Sequence, residues 1–487
     1  MALGSSRWVL IGLVSLVGCG NDSGEVGDGG GSSTSTTDVA TTDGPVLTGP
    51  DTSTGGVETL DPDSSSGDGP TIDCDSDPPF VPEIPAKLEL QTEWGSPEEL
   101  EVVTSGIWAI WWYPQFDHAD DAQWLIGQLD DVRCRSLTEL GMADPPNPGN
   151  GVYYNVYIHH GADDDFPEGW ANGQGTDGFG NPFLTLPEGA HLDEGNIAHE
   201  GFHVFQYNAN SPGFSYSGDS QWYIEASAQW YAAWRRPEAD DAFIEAGAID
   251  GNPHVALWHS FSNEAPGDPT DWMFQVRQYG MHTYLFYLTE VVGLDRDLIT
   301  SGFYGKVAVS PQQFHYEGAG ADELRGIFAD WAAHNTADFD YLTPAQVERA
   351  RAEVEFVGDP NNINPHVAEL VDAGSMGAQR PAPELTPRGW SYNVVRIENT
   401  QAATYDFSVL GDATGSDGAA SHFEARILVM GPGGPEYTDI AMDDELQGSG
   451  SVTVPADADE VFLIVAAVPE HFGSNQTYGY EYTVTRN

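Results

Sequence analysis

The chain has 487 residues, with 17 Lys and Arg against 76 Asp and Glu, a formal net charge of −59. That length predicts more than one domain. That charge excludes a nucleic-acid partner, because a phosphate backbone is held by Lys and Arg; otherwise it describes a strongly solvated surface and leaves the ligand open.

Residues 1–19 read as a signal peptide. One early positive charge, Arg7, precedes an apolar run from Trp8 to Val17 that is too short to anchor stably across a bilayer. The run ends in Leu16-Val17-Gly18-Cys19. This resembles the lipobox of bacterial lipoproteins and implies cleavage before Cys19 and acylation of its thiol, with a plain secretory signal as the alternative. The expected location is therefore outside the cytoplasm, tethered to the membrane of the cell envelope through lipidated Cys19. Residues 20–73 are Gly, Ser, Thr and Asp with almost no large apolar side chain. Such a segment cannot offset its conformational entropy by burial and reads as a flexible, self-repelling tether. The remaining cysteines are Cys74 and Cys134. Export permits a disulfide between them, and two free thiols are the alternative.

The expected fold class is α+β, with a mixed domain over 74–378 and an all-β sandwich over 379–487. In the first, Gly106–Phe116 is dense in large apolar residues and reads as a buried strand. Helical spacing follows over Asp120–Met142, with Trp124, Leu125, Leu129, Val132 and Leu137 on one broad face. Gly151–His160 alternates as a strand, and Phe183, Leu184, Thr185 and Leu186 form a short strand after a Gly-rich loop. Helices are expected over Gly195–Asn208, Ser220–Arg236 and Arg277–Val292, with a further pair over Ala321–Glu355. Past Pro381, short runs such as Ser391–Asn399, Phe423–Met430 and Glu460–Val468 are separated by Gly, Pro, Asp and Asn. In the last run Tyr478, Tyr480, Tyr482 and Val484 alternate strictly, a β-sandwich pattern with no catalytic constellation.

The chemistry concentrates in the stretch Asn196–Gln206, "NIAHEGFHVFQ". On a helix, His199 and His203 lie one turn apart on one face, so two imidazoles can meet at one ion. Glu200 is rotated off that line and can reach a water at the metal without occupying a ligand position. Ile197, Gly201, Phe202 and Phe205 form the opposite, core-facing stripe. A catalytic Zn2+ needs a third protein ligand. Glu225 supplies it, 22 residues past His203 on the next helix, bordered by Trp222, Tyr223 and Trp230. A carboxylate in such surroundings needs a cation partner. Asp219 or Ser220 is placed to cap that helix, and Ala226, Ser227 and Ala228 are small enough for close packing against the first.

The two motifs, "HEGFHVFQ" and "WYIEASAQW", resemble the gluzincins, the thermolysin-like branch of zinc metallopeptidases, over Lys87 to roughly Asp340. The resemblance implies a small sheet with zinc-binding helices, Zn2+ at His199, His203 and Glu225, and Glu200 as general base for hydrolysis of a peptide or protein. It also implies an oxyanion donor from a later helix, Tyr279 in preference to His282. Phe183–Leu186 would be the edge strand that binds substrate backbone by strand addition. The chain departs from thermolysin in having no Asp after the third ligand to brace the first histidine, so that brace must come from elsewhere, Ser227 or a backbone carbonyl. Two other readings stand beside this one: a non-catalytic adhesion lipoprotein on the same fold, and a zinc hydrolase with a non-protein substrate. His159 and His160 with Asp163–Asp165 read as a solvated strand end.

Overall fold

The computed structural model describes residues 100–144, 153–159, 172–176, 182–239, 242–260, 277–356, 366–369, 377–398, 400–473 and 476–487. The segments expected to be a signal peptide and a tether, with Cys19 and Cys74, lie outside them. Cys134 is disulfide-bonded. No helix among the described residues is long and apolar enough to cross a membrane.

The fold is α+β. The first sheet comprises β1 (Glu101–Ser105), β2 (Trp108–Trp112), β3 (Tyr154–His159), β4 (Asn172–Thr176) and β5 (Pro182–Pro187), in the order β1-β2-β3-β5-β4. The central strands β2, β3 and β5 are parallel, and β1 and β4 run antiparallel at the two margins. Strand β2 reads as an unbroken apolar run because both of its faces are covered. Trp108, Ile110 and Trp112 enter the main core. Ala109 and Trp111 form a smaller cluster with Tyr157 and Phe183 on the other face. There the Trp111 indole donates to Oδ1 of Asn155 at 2.9 Å.

This topology corrects the edge-strand expectation. Phe183–Leu186 is interior, paired with β3 on one side and with β4 on the other, with Leu184 opposite Gly173 and Thr185 opposite Asn172. Leu184 and Leu186 are core side chains. The Gly-rich segment before β5 itself returns as the outer strand, although "NGQGT" has no apolar alternation to announce it.

Helix α1 (Ala119–Thr138) buries Leu125, Leu129, Val132 and Leu137, as its spacing predicts. It packs on α2 (Glu194–Tyr207), which packs on α3 (Gln221–Arg235). At Gly201 the absent Cβ is what permits the α1–α2 approach: one built there would sit 3.2 Å from Leu129 and 3.3 Å from Val132. Phe202 stacks on Tyr231 at 4.6 Å across α2 and α3, and Ala226, Ser227 and Ala228 are fully buried at that contact.

The expected helix over Arg277–Val292 is present but irregular. A first helical turn ends at Gly280, Met281 is a turn residue, and a short α-helix, His282–Phe286, passes into a π-helical stretch, Tyr287–Val291. Uniform apolar spacing hides this irregularity. Gly280 meets the backbone of Glu245 so closely that a Cβ at Gly280 would lie 2.5 Å from the Glu245 carbonyl oxygen. Downstream come α4 (Pro311–Ala319), α5 (Ala321–Thr336) and α6 (Pro344–Phe356).

The C-terminal region is a two-sheet β structure. Strands β6 (His366–Glu369), β7 (Ser391–Glu398), β9 (Phe423–Gly431), β10 (Gly434–Ile440) and β12 (Glu460–Ala467) form one sheet in the order β10-β9-β12-β7-β6. Strands β8 (Ala403–Gly411), β11 (Gln447–Val454) and β13 (Tyr480–Arg486) form the other. The core between them includes Tyr405, Phe407, Ile427, Leu463, Tyr480 and Val484. The outer face of the larger sheet packs on α5, where Phe328 and Trp331 meet Trp390 and Tyr392 with ring separations of 5.4 to 6.5 Å. Arg426 on β9 reaches Asp330 on α5 at 2.7 Å.

Candidate metal centre

Helix α2 opens on Asp193, whose extended backbone lets its carboxylate accept from the amides of Gly195 at 2.8 Å and Asn196 at 3.0 Å. These bonds satisfy two of the donors that a helix start leaves open. Helix α3 begins differently. A 3-10 turn, Gly218–Ser220, runs straight into it, and Ser220, the N-cap, is already in the helical region and makes no side-chain cap bond.

The two helices bring three side chains together. Nε2 of His199 lies 3.1 Å from Nε2 of His203, and both face Oε2 of Glu225, at 3.3 and 3.5 Å. All three residues are about 2% exposed. Burial works against charge on either partner, yet the opposed charges override it. His203 is raised to about 9 by Glu225, and Glu225 is lowered to about 2 by His203 and the bonds from both histidines.

The outer nitrogens are held by two glutamines. Nδ1 of His199 bonds to Oε1 of Gln229 at 2.8 Å, and Nδ1 of His203 to Oε1 of Gln206 at 2.5 Å. An amide oxygen only accepts, so each Nδ1 carries a proton, and a cation at the shared point would displace any proton on Nε2 and take its lone pair. The glutamines are oriented in turn. Gln206 donates to the Ile224 carbonyl at 3.0 Å and to Oγ of Ser227 at 2.8 Å, and Gln229 donates toward Glu245 at 3.4 Å. Serine 227 thus braces the site through Gln206 and not by touching His199. Two imidazoles with fixed tautomers and one carboxylate, buried and convergent, make a donor set that fits a zinc-like cation. Sequence reasoning placed Gln206 near the histidine face and missed Gln229. The available signal was its position one turn after Glu225 on the same face.

Glu200 is buried beside the cluster, about 2% exposed, and its charge adds to the raised proton affinity of His203. The Tyr279 ring lies 6.0 Å from that of His199 and is buried. His282 is fully buried, with Nδ1 2.9 Å from the Tyr279 carbonyl. Burial lowers it to about 4, and the neighbouring His199 contributes in the same direction. Phe183–Leu186 lies in the sheet core, away from any edge. His159 ends β3, and His160 with Asp163–Asp165 lies outside the described residues.

No family model matches this chain, and no curated protein matches it. Among solved structures it resembles the Clostridium thermocellum endo-1,4-beta-D-xylanase 10B, 16% identical over 18% of this chain and 17% of that one, with a TM-score of 0.14. It also resembles PliG, a periplasmic inhibitor of g-type lysozyme. The Salmonella Typhimurium protein is 13% identical over 26% of this chain and 100% of that one, and the Aeromonas hydrophila protein 14% identical over 25% and 96%, each with a TM-score of 0.17. At such scores neither likeness carries an argument about fold or chemistry.

Proposed function

We propose that this chain is a zinc metalloendopeptidase of the gluzincin type, exported and tethered to the membrane through Cys19. The observation that carries this reading is the convergence of His199, His203 and Glu225 from two packed helices, with Glu200 buried next to them. A zinc ion held by those three residues supplies a Lewis acid that lowers the pKa of water and polarises a carbonyl.

The chain's own groups do the rest. Glu200 takes the proton of the attacking water and returns it to the leaving amine. Gln206 and Gln229 fix the two imidazoles so that neither rotates during turnover. The oxyanion needs a donor on the opposite side of the site, and tautomer chemistry favours Tyr279 over His282. The carbonyl of Tyr279 only accepts, so the proton of neutral His282 sits on Nδ1 and its Nε2 has none to give. His282 then serves as a positioning residue that holds the Tyr279 backbone. Strand addition by substrate moves from β5 to β4, the outer strand, which also contacts α2.

The test is metal content beside cleavage of casein and a peptide library. Wild type should carry zinc at this centre and cleave. Glu200→Gln should keep the zinc and lose about 10²–10⁴ in rate, and His203→Ala should lose both. Normal cleavage by Glu200→Gln removes Glu200 as the base. A zinc-loaded wild type that cleaves no peptide rejects the peptidase reading. For the tether, Cys19→Ser should move the protein from the membrane fraction to the soluble one.

A further inference from the structure

A second cluster repeats the pattern of the first at the start of α1. Nδ1 of His118 lies 3.0 Å from Oδ2 of Asp121, and Nε2 of His191 lies 3.4 Å from the same oxygen. The two rings are 4.8 Å apart, edge to face, as are those of His199 and His203. In both clusters two buried imidazoles turn one nitrogen each toward a single carboxylate oxygen. We propose that His118, Asp121 and His191 form a second metal site, for a zinc-like divalent cation.

Nε2 of His118 faces Glu188 at 3.8 Å, an ion-pair distance beyond hydrogen-bond reach. The Gly189 amide donates to Nδ1 of His191 at 3.2 Å, and the ring also bonds the Pro187 carbonyl. With the cation on Nδ1 of His118 and Nε2 of His191, the proton of the second ring moves to Nδ1, which gives up the Gly189 bond and donates to Pro187, while that of the first ring points at Glu188. Two imidazoles select a d-block cation over calcium or magnesium, which prefer all-oxygen shells. The histidines are nearly buried, whereas the Asp121 and Glu188 side chains are 35% and 49% exposed, so the open side faces solvent and has room for water ligands.

The position gives the site a purpose. His191 lies in the 3-10 turn between β5 and α2, two residues before the Asp193 cap. A cation there fastens the entry of α2, the helix of His199 and His203, to the start of α1. The site is therefore structural, and it does not depend on the peptidase reading.

Zinc titration of metal-free protein, read by dialysis and elemental analysis, tests the proposal. Wild type should hold two equivalents. Asp121→Asn, isosteric at a part-exposed position, should hold one, as should His203→Ala, and the double variant none. Asp121→Asn should also lose most of the upward shift in melting temperature that zinc gives a His203→Ala background. Loss of a whole equivalent on removing one carboxylate separates a built site from diffuse binding to an acidic surface. A folded Asp121→Asn chain that still holds two equivalents overturns the proposal, as does a wild type whose only zinc disappears in His203→Ala. If Asp121→Asn fails to fold, His191→Gln takes its place with the same outcomes.

Discussion

Gln229 stands one helical turn after Glu225 on α3, and its amide oxygen lies 2.8 Å from Nδ1 of His199. A ligand and the brace of another ligand thus come from one face of one helix. Gln229→Leu keeps the volume and removes the acceptor. Zinc affinity at this centre should fall by about 10–100-fold, measured by competition with a chromogenic chelator. An affinity equal to wild type would show that the amide does not orient His199.

Tyr279 and His282 separate by kinetics. Tyr279→Phe should lower kcat by about a hundredfold and leave KM nearly unchanged, because a donor of this kind acts in the transition state. His282→Asn keeps a side-chain N–H that can reach the Tyr279 carbonyl and should cost about tenfold or less. If the Asn variant is dead and the Phe variant active, the two roles are exchanged.

Gly280→Ala places a methyl carbon 2.5 Å from the Glu245 carbonyl oxygen. The backbone must move, at a cost of about 1–3 kcal/mol, and Tyr279 moves with it. Urea unfolding should report the loss of stability, and kcat should drop with little change in zinc content. A variant as stable as wild type would mean that the turn relaxes freely.

Acid should destabilise the fold before its carboxylates titrate. Burial, aided by the charges of Arg277 and Arg388, lowers His254 to about 4 and His259 to about 3. Burial alone lowers His315 to about 3, against the opposing Leu298 carbonyl. The unfolded chain therefore binds these protons first. Stability is complete above about 6.5 and falls as pH drops toward the folded values. Each imidazole contributes a slope of about 1.4 kcal/mol per pH unit in that window. Urea midpoints at pH 7.5, 6 and 5, with chelator present so that metal release plays no part, should decrease steadily. A flat profile from 7.5 to 5 contradicts the neutral burial of these side chains.

The convergence of the three candidate ligands was legible because their placement is local. His199 and His203 are fixed at i, i+4, and Glu225 betrays itself by its aromatic neighbours on the next amphipathic helix. The braces were harder, since Gln229 meets His199 across two helices and its only local mark is its place one turn after Glu225. His191 and Asp121 are 70 residues apart and meet only after the sheet has formed. Strand β4 was invisible for want of apolar alternation, and its pairing turned an expected edge into the interior. The turn at Met281 and the passage into a π-helical stretch escaped because apolar periodicity reports which face is buried and not the hydrogen-bond pattern. Among the sandwich strands, β8 and β13 were legible because each alternates over the core, and β9 and β12 because they are near-continuous apolar runs buried on both faces.

The rings of Phe328, Trp331, Trp390 and Tyr392 join the helical region to the larger sheet of the sandwich. Seams between domains that slide or hinge are usually polar; this one is aromatic and carries the Arg426–Asp330 ion pair. A chain cut between α6 and β7 would therefore bare Phe328 and Trp331, so the helical region should not stay soluble without the sandwich.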